Sequence, residues 1–166
     1  MILEELVVST HGLLRELNAT VAVAESLTGG LISAALTEPS GASDVVRGGV
    51  VVYATALKSN LVGVDMTLLE RVGAVDPLVA AQLAIGASTR LDATFGLAAT
   101  GVAGPTEQDG KPVGTVYLAV SGPRGVTTAH EVFAGSRHEI RRQSVESAVS
   151  MLHRECARWR SELHSS

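Results

Sequence analysis

The chain has 166 residues, enough for one domain (1–166) that buries a substantial core. Aromatic residues make up 3% of it against 46% hydrophobic, so that core must be built from Ala, Val, Leu and Ile, which suits strands covered on both faces. A net charge of −4 excludes a global pull toward nucleic acid or an anionic membrane, and no apolar run reaches the roughly 18–20 residues of a spanning helix.

Leu3 to Asn18 has helical spacing at Leu6, Leu13, Leu14 and Leu17. Early acids there replace the basic start of a signal peptide. Thr20 to Ala24 reads as a short buried strand, Thr28 to Glu38 as a helix stopped by Pro39-Ser40-Gly41. Gly48 to Tyr53 is a β-branched strand, and short helices follow over 54–62 and 66–72. Asp76-Pro77 pairs an N-cap acid with Pro at the first helical position, starting a helix to about Leu91. Thr94 to Ala99 is a strand, 100–112 a Gly- and Pro-rich loop, and 113–120 with 126–133 a hairpin. Ser136 caps a long last helix with an apolar stripe of Ile140, Ala148, Leu152, Cys156 and Trp159. The order α-β-α-β-α-α-β-β-β-α predicts an α/β fold, a three-layer α/β/α sandwich with a mixed central sheet.

Cys156 is the only cysteine, so an intrachain disulfide is excluded and a reducing, cytoplasmic setting is expected. The five histidines show no metal-ligand spacing and there is one cysteine, so a zinc site is not expected.

Three segments hold residues suited to chemistry. In Ala24-Glu25-Ser26-Leu27-Thr28-Gly29-Gly30 a strand gives way to a helix, placing Ser26 where its hydroxyl can meet a substrate carbonyl. N–H groups of Gly29 and Gly30 are the expected oxyanion donors, with Thr28 beside them. A helix-capping serine explains the same pattern. In Tyr53-Ala54-Thr55-Ala56-Leu57-Lys58, a desolvated Lys58 can lose its proton and serve Ser26 as base, which Arg cannot. Lys58 and Lys111 are the only lysines in a chain rich in arginine; a solvated helix lysine is the plainer reading. Thr100-Gly101-Val102-Ala103-Gly104-Pro105 offers N–H groups to a phosphate or carboxylate without being a P-loop, and reads equally as a plain turn. A Ser-His-Asp triad through His130 or His138 lacks the G-x-S-x-G elbow. The arginines of the last helix read as a solvated face, except Arg137 at its start.

These segments, together with Gly73-Ala74-Val75 and Lys111-Pro112-Val113-Gly114-Thr115-Val116-Tyr117 in the same order, resemble the CinA C-terminal domain family, home of the nicotinamide-nucleotide amidases, over residues 3 to 160. The resemblance implies hydrolysis of the nicotinamide mononucleotide carboxamide to nicotinate mononucleotide and ammonia, within NAD salvage. It implies Ser26 as nucleophile, Lys58 as its base and Tyr53 nearby, with no cofactor. The substrate phosphate is then expected near Thr100, Gly101 and Gly104, with Arg137. It also implies the stand-alone form, without the N-terminal domain many relatives carry, and a homo-oligomer. Leu27 stands where the family usually has Cys, Ala54-Thr55 where Ser-Asn is common, and Thr106 where an acid often follows Gly-Pro. The rival readings are a non-enzymatic partner of DNA-processing proteins, linked to competence and DNA damage, and an amidase for another small carboxamide. The acidic charge argues against direct nucleic-acid contact.

Overall fold

A computed structural model describes residues 1–165. Its elements are α1 (Leu3–Glu16), β1 (Val21–Glu25), α2 (Leu31–Thr37), β2 (Val46–Val51), α3 (Thr55–Val62), α4 (Met66–Val72), α5 (Pro77–Arg90), β3 (Phe95–Gly101), β4 (Thr115–Gly122), β5 (Gly125–Val132) and α6 (Arg137–His164), with a 3-10 turn at Ala42–Asp44 before β2. The sheet order is β2-β1-β3-β4-β5. β2, β1 and β3 run parallel, and β4 and β5 join antiparallel, so the sheet is mixed as expected.

Side chains alternate across the sheet and the two faces differ in size. Val21, Val23, Phe95, Leu97, Val116, Leu118 and Val120 fill one core with α1, α2 and α6. Ala22, Ala24, Ala98 and Ala119 face the other core, under α4 and α5. Small residues let α5 approach closely: a Cβ on Gly96 would run into the Ala84 carbonyl of α5. The three-layer α/β/α sandwich follows from these two cores, and it needs few aromatics because one of the sheet's faces is paved with alanine.

Asp76 accepts from Leu78 N–H with Pro77 at the start of α5, and Ser136 with Glu139 forms a capping box on α6. Trp159 lies edge-on to Phe95, with ring centroids 5.8 Å apart. One boundary differs by three residues. The helix expected from Thr28 begins at Leu31, because Gly29 (φ 58°) and Gly30 (φ 101°) adopt left-handed backbone that a right-handed helix cannot contain. No helix among the described residues is long and apolar enough to cross a membrane.

The connections after β1 and β2 diverge. α2 packs into the large-residue core and α3 against the alanine side. A crevice therefore opens at the carboxyl ends of the parallel strands, where α/β folds hold ligands.

Candidate active site

Ser26 follows β1 directly. Its N–H donates to the Ala99 carbonyl of β3 at 3.0 Å, extending the sheet by one residue. On the other side, Val52 N–H donates to the Glu25 carbonyl at 2.8 Å. The backbone of Ser26 is thus held by the sheet while the chain turns away into α2.

Glu25 shapes that turn. Its carboxylate is fully buried and accepts from the N–H groups of Gly30 (3.1 Å), Ile32 (2.9 Å) and Ser33 (2.8 Å) and from the Ser33 hydroxyl (2.7 Å). It satisfies the amino end of α2 from within the core. On the outer side, Arg141 of α6 donates from Nε to the Leu27 carbonyl (2.9 Å) and from Nη2 to the Thr28 carbonyl (3.2 Å). The turn is clamped between a carboxylate on its N–H groups and a guanidinium on its carbonyls.

This corrects the oxyanion expectation. Gly30 N–H is committed to Glu25, and Gly29 N–H donates to the Ser26 carbonyl at 3.0 Å. Neither glycine lines the crevice, nor does Thr28, whose fully buried hydroxyl has no partner among the described residues. The N–H groups of Leu27 and Ala103, both crevice residues, carry no hydrogen bond among the described residues.

Lys58 lies in α3 and is 1% exposed. Nζ donates to Ser26 Oγ (3.1 Å), to the Val52 carbonyl (2.8 Å) and, more weakly, to the Tyr53 carbonyl (3.3 Å). Burial pushes its pKa down to about 8, against an opposing pull from Asp109. A neutral amine has two hydrogens. With those on Val52 and Tyr53, its lone pair faces the Ser26 hydroxyl. The plainer reading, a solvated lysine, does not fit this geometry.

The crevice beside Ser26 has a volume of about 360 Å³. The buried Leu27, Val102 and Ala103, with Gly101 and Gly104, form its inner walls, and the exposed Tyr53, Thr106, Glu107, Gln108 and Arg137 its mouth. Arg137 is exposed, donating from Nη1 to the Gly104 carbonyl (2.9 Å) and from Nη2 to Tyr53 Oη (3.1 Å). Tyr53 therefore points at Arg137, on the rim. Thr100, expected at the phosphate, is buried outside the crevice, where its hydroxyl donates to the Ala74 carbonyl at 2.7 Å. Gly101 and Gly104 do line it.

Of the expected residues, Ser26, Lys58, Tyr53, Gly101, Gly104 and Arg137 come together, while Thr28, Gly29, Gly30 and Thr100 frame the site from behind. Glu25 and Arg141 were missed. The available signal for Arg141 was its place four residues after Arg137, on the same helix face. Cys156 offers no rival nucleophile, since burial raises its thiol pKa to about 12. No cluster of three or more metal-ligating side chains occurs among the described residues.

The CinA C-terminal domain matches residues 3–156. A CinA-like protein of Frankia casuarinae is 49% identical over 143 residues, 86% of this chain and 33% of the relative. A putative competence-damage inducible protein of Desulforamulus reducens is 47% identical over 80% of this chain and 32% of its own length. The chain thus spans about a third of the length of these curated relatives. Among solved structures, the competence/damage inducible protein CihA of Agrobacterium tumefaciens is similar with a TM-score of 0.87 and 40% identity, covering 90% of this chain and 93% of that one. A CinA superfamily protein of Klebsiella pneumoniae reaches a TM-score of 0.91 at 28% identity, covering 96% of this chain and 100% of that one. With its sheet order, its two cores and its Ser26 turn in place, the chain belongs to the CinA C-terminal domain family.

Proposed function

We propose that this protein is an amidohydrolase that cleaves the carboxamide of nicotinamide mononucleotide, with Ser26 as nucleophile and Lys58 as its base. The observation that carries this reading is the buried 3.1 Å contact between Lys58 Nζ and Ser26 Oγ. A lysine without a carboxylate partner, held against a hydroxyl at the carboxyl end of a strand, gains nothing obvious for the fold. Its burial penalises the charged form, which is the state a base must leave.

In this mechanism neutral Lys58 takes the Ser26 proton as Oγ attacks the amide carbon. The developing oxyanion takes hydrogen bonds from Leu27 and Ala103 N–H, two crevice donors that carry no hydrogen bond among the described residues. Protonated Lys58 returns the proton to the departing nitrogen, releasing ammonia and leaving an acyl ester on Ser26. Water, deprotonated by Lys58, then hydrolyses the ester and frees the acid. Arg137 suits the substrate phosphate at the rim, where its guanidinium can take a bidentate anion. Tyr53, bonded to Arg137, orders that rim and offers its ring to the pyridine.

The test is ammonia release from nicotinamide mononucleotide by the purified chain. Turnover lost in Ser26→Ala and in Lys58→Arg, with both variants folded, is the expected result. Arginine keeps the charge and removes the titratable base. Wild-type turnover in either variant would overturn the assignment. A panel of small carboxamides with and without phosphate separates the nucleotide from other amides. Absence of turnover on all of them favours a binding role.

A further inference from the structure

The mouth of the crevice is a small hairpin with an anchor of its own. Gln108 and Lys111 exchange backbone hydrogen bonds (3.2 and 2.8 Å) around Asp109-Gly110, whose φ values are 52° and 70°. That is the two-residue turn with left-handed backbone at both positions, for which Asp-Gly is a preferred pair. The Asp109 side chain leaves the turn and accepts from Ala74 N–H at 2.9 Å. It fits against Gly73, where a Cβ would stand 2.6 Å from Asp109 Cγ. Ala74 is itself tied to β3, since its carbonyl accepts from Thr100. The residues just before Asp109 are Thr106, Glu107 and Gln108, the outer wall of the crevice.

We propose that Asp109 is a positioning residue for the site, latching the 106–108 wall onto Ala74 so that the hairpin closes the crevice beside Ser26. The proposal rests on the Ser26–Lys58 reading for its catalytic meaning, though not for its geometry. The latch also brings a negative charge to bear on Lys58, favouring its protonated form. Other charged groups lie on the surrounding elements. Glu107 and Arg137 are at the crevice mouth, Glu70 and Arg71 are on the surface of α4, Arg90 is on that of α5, and Glu25 is committed to α2. The charge that acts on Lys58 is that of Asp109. Losing the latch therefore does two things together: it frees the 106–108 wall, and it shifts the base toward its neutral form.

Amide hydrogen exchange and the Lys58 side-chain titration, both followed by NMR on the full chain, test this without any need for turnover. In Asp109→Ala, exchange at Ala74 N–H and across 106–111 should accelerate about tenfold, as loss of one charge-assisted hydrogen bond predicts. Asp109→Asn keeps an acceptor oxygen and tolerates positive φ, so Ala74 should stay protected while the Lys58 pKa falls further. Gly73→Ala should open the latch from the other side with Asp109 intact. Unchanged exchange at Ala74 in both Asp109→Ala and Gly73→Ala would overturn the latch. A Lys58 pKa in Asp109→Asn equal to or above that of the wild type would overturn the electrostatic coupling. In an active enzyme the acidic limb of kcat/KM moves to lower pH in Asp109→Asn. If the chain releases no ammonia, exchange and titration still decide on Asp109.

Discussion

Lys58 Nζ stands 3.1 Å from Ser26 Oγ, and its other two polar contacts are carbonyl oxygens. No carboxylate touches it, so its charge is opposed by burial and favoured by the more distant field of Asp109. The pair is built to change protonation state near the neutral range.

The first expectation concerns the pH profile. If neutral Lys58 is the base, kcat/KM rises about tenfold per pH unit below pH 8 and levels off above it, since Lys58 titrates at about 8. Initial rates of ammonia release between pH 6 and 9.5 read this directly. A flat profile across that range would rule Lys58 out as the base.

The same titration has a signature in stability. Lys58 titrates near 8 when folded and near 10.5 when free, so below pH 8 both states are protonated and the full burial cost is present. Between about 8 and 10.5 the unfolded chain holds the proton and the folded one does not, so stability rises with pH by on the order of 3 kcal/mol. Above that window the cost is gone. Lys58→Met should remove this rise. The difference between wild-type and variant denaturation curves, taken pH by pH, isolates it from other titrating groups, and parallel curves would show that Lys58 is not desolvated.

Much of this architecture was readable from residue order. Asp76-Pro77, the alternation in the strands and the Pro-Gly stop after α2 are local signals, and each falls within a few residues of the element it predicts. Ser26 and Lys58 were readable as types suited to chemistry at strand ends. Their meeting was not, because it depends on α2 and α3 leaving the sheet toward opposite faces. The turn itself departs from the sequence expectation for a physical reason. Glycines after a serine suggest free N–H groups, yet Glu25 bonds to groups five to eight residues ahead and consumes one of them. Arg141 was hidden among the other arginines of α6, several of which pair with Glu16, Glu146 or Glu155 as a solvated face would.

Glu25 can be tested through its hydrogen bonds. Glu25→Gln keeps the shape but turns an amide donor toward a cluster of donors, leaving at least one buried N–H unpaired. The cost should be about 1–3 kcal/mol, measured by urea denaturation. Activity should fall further than stability accounts for, because the turn carrying Ser26 is no longer fixed. A variant as stable as the wild type would show that water or another acceptor replaces the carboxylate.

Gly96→Ala examines the alanine-paved face. The added methyl would meet the Ala84 carbonyl and the Ser121 hydroxyl, both on fixed elements, so α5 must move away from the sheet. Overpacking of this kind costs roughly 1–3 kcal/mol, visible as a lower denaturation midpoint. The same substitution at exposed Gly12, where a Cβ meets nothing within 4 Å, should instead stabilise α1 by about 1 kcal/mol. Equal effects at the two sites would contradict the close approach of α5.

Arg141 separates positioning from binding. It lies outside the crevice and touches the Leu27 and Thr28 carbonyls, so its removal should loosen the Ser26 turn and leave the substrate's own contacts in place. Arg141→Met keeps much of the stem packing and removes both donors. The expected result is a fall in kcat of about 10–100-fold, since small misplacements of a nucleophile carry costs of that order, with KM nearly unchanged. Arg137→Met gives the contrast. Arg137 faces the crevice and bonds to Tyr53, so its loss should appear in KM, and only for substrates that carry a phosphate. If both variants raise KM alone, Arg141 does not act through Ser26 and the clamp on the turn has no catalytic role.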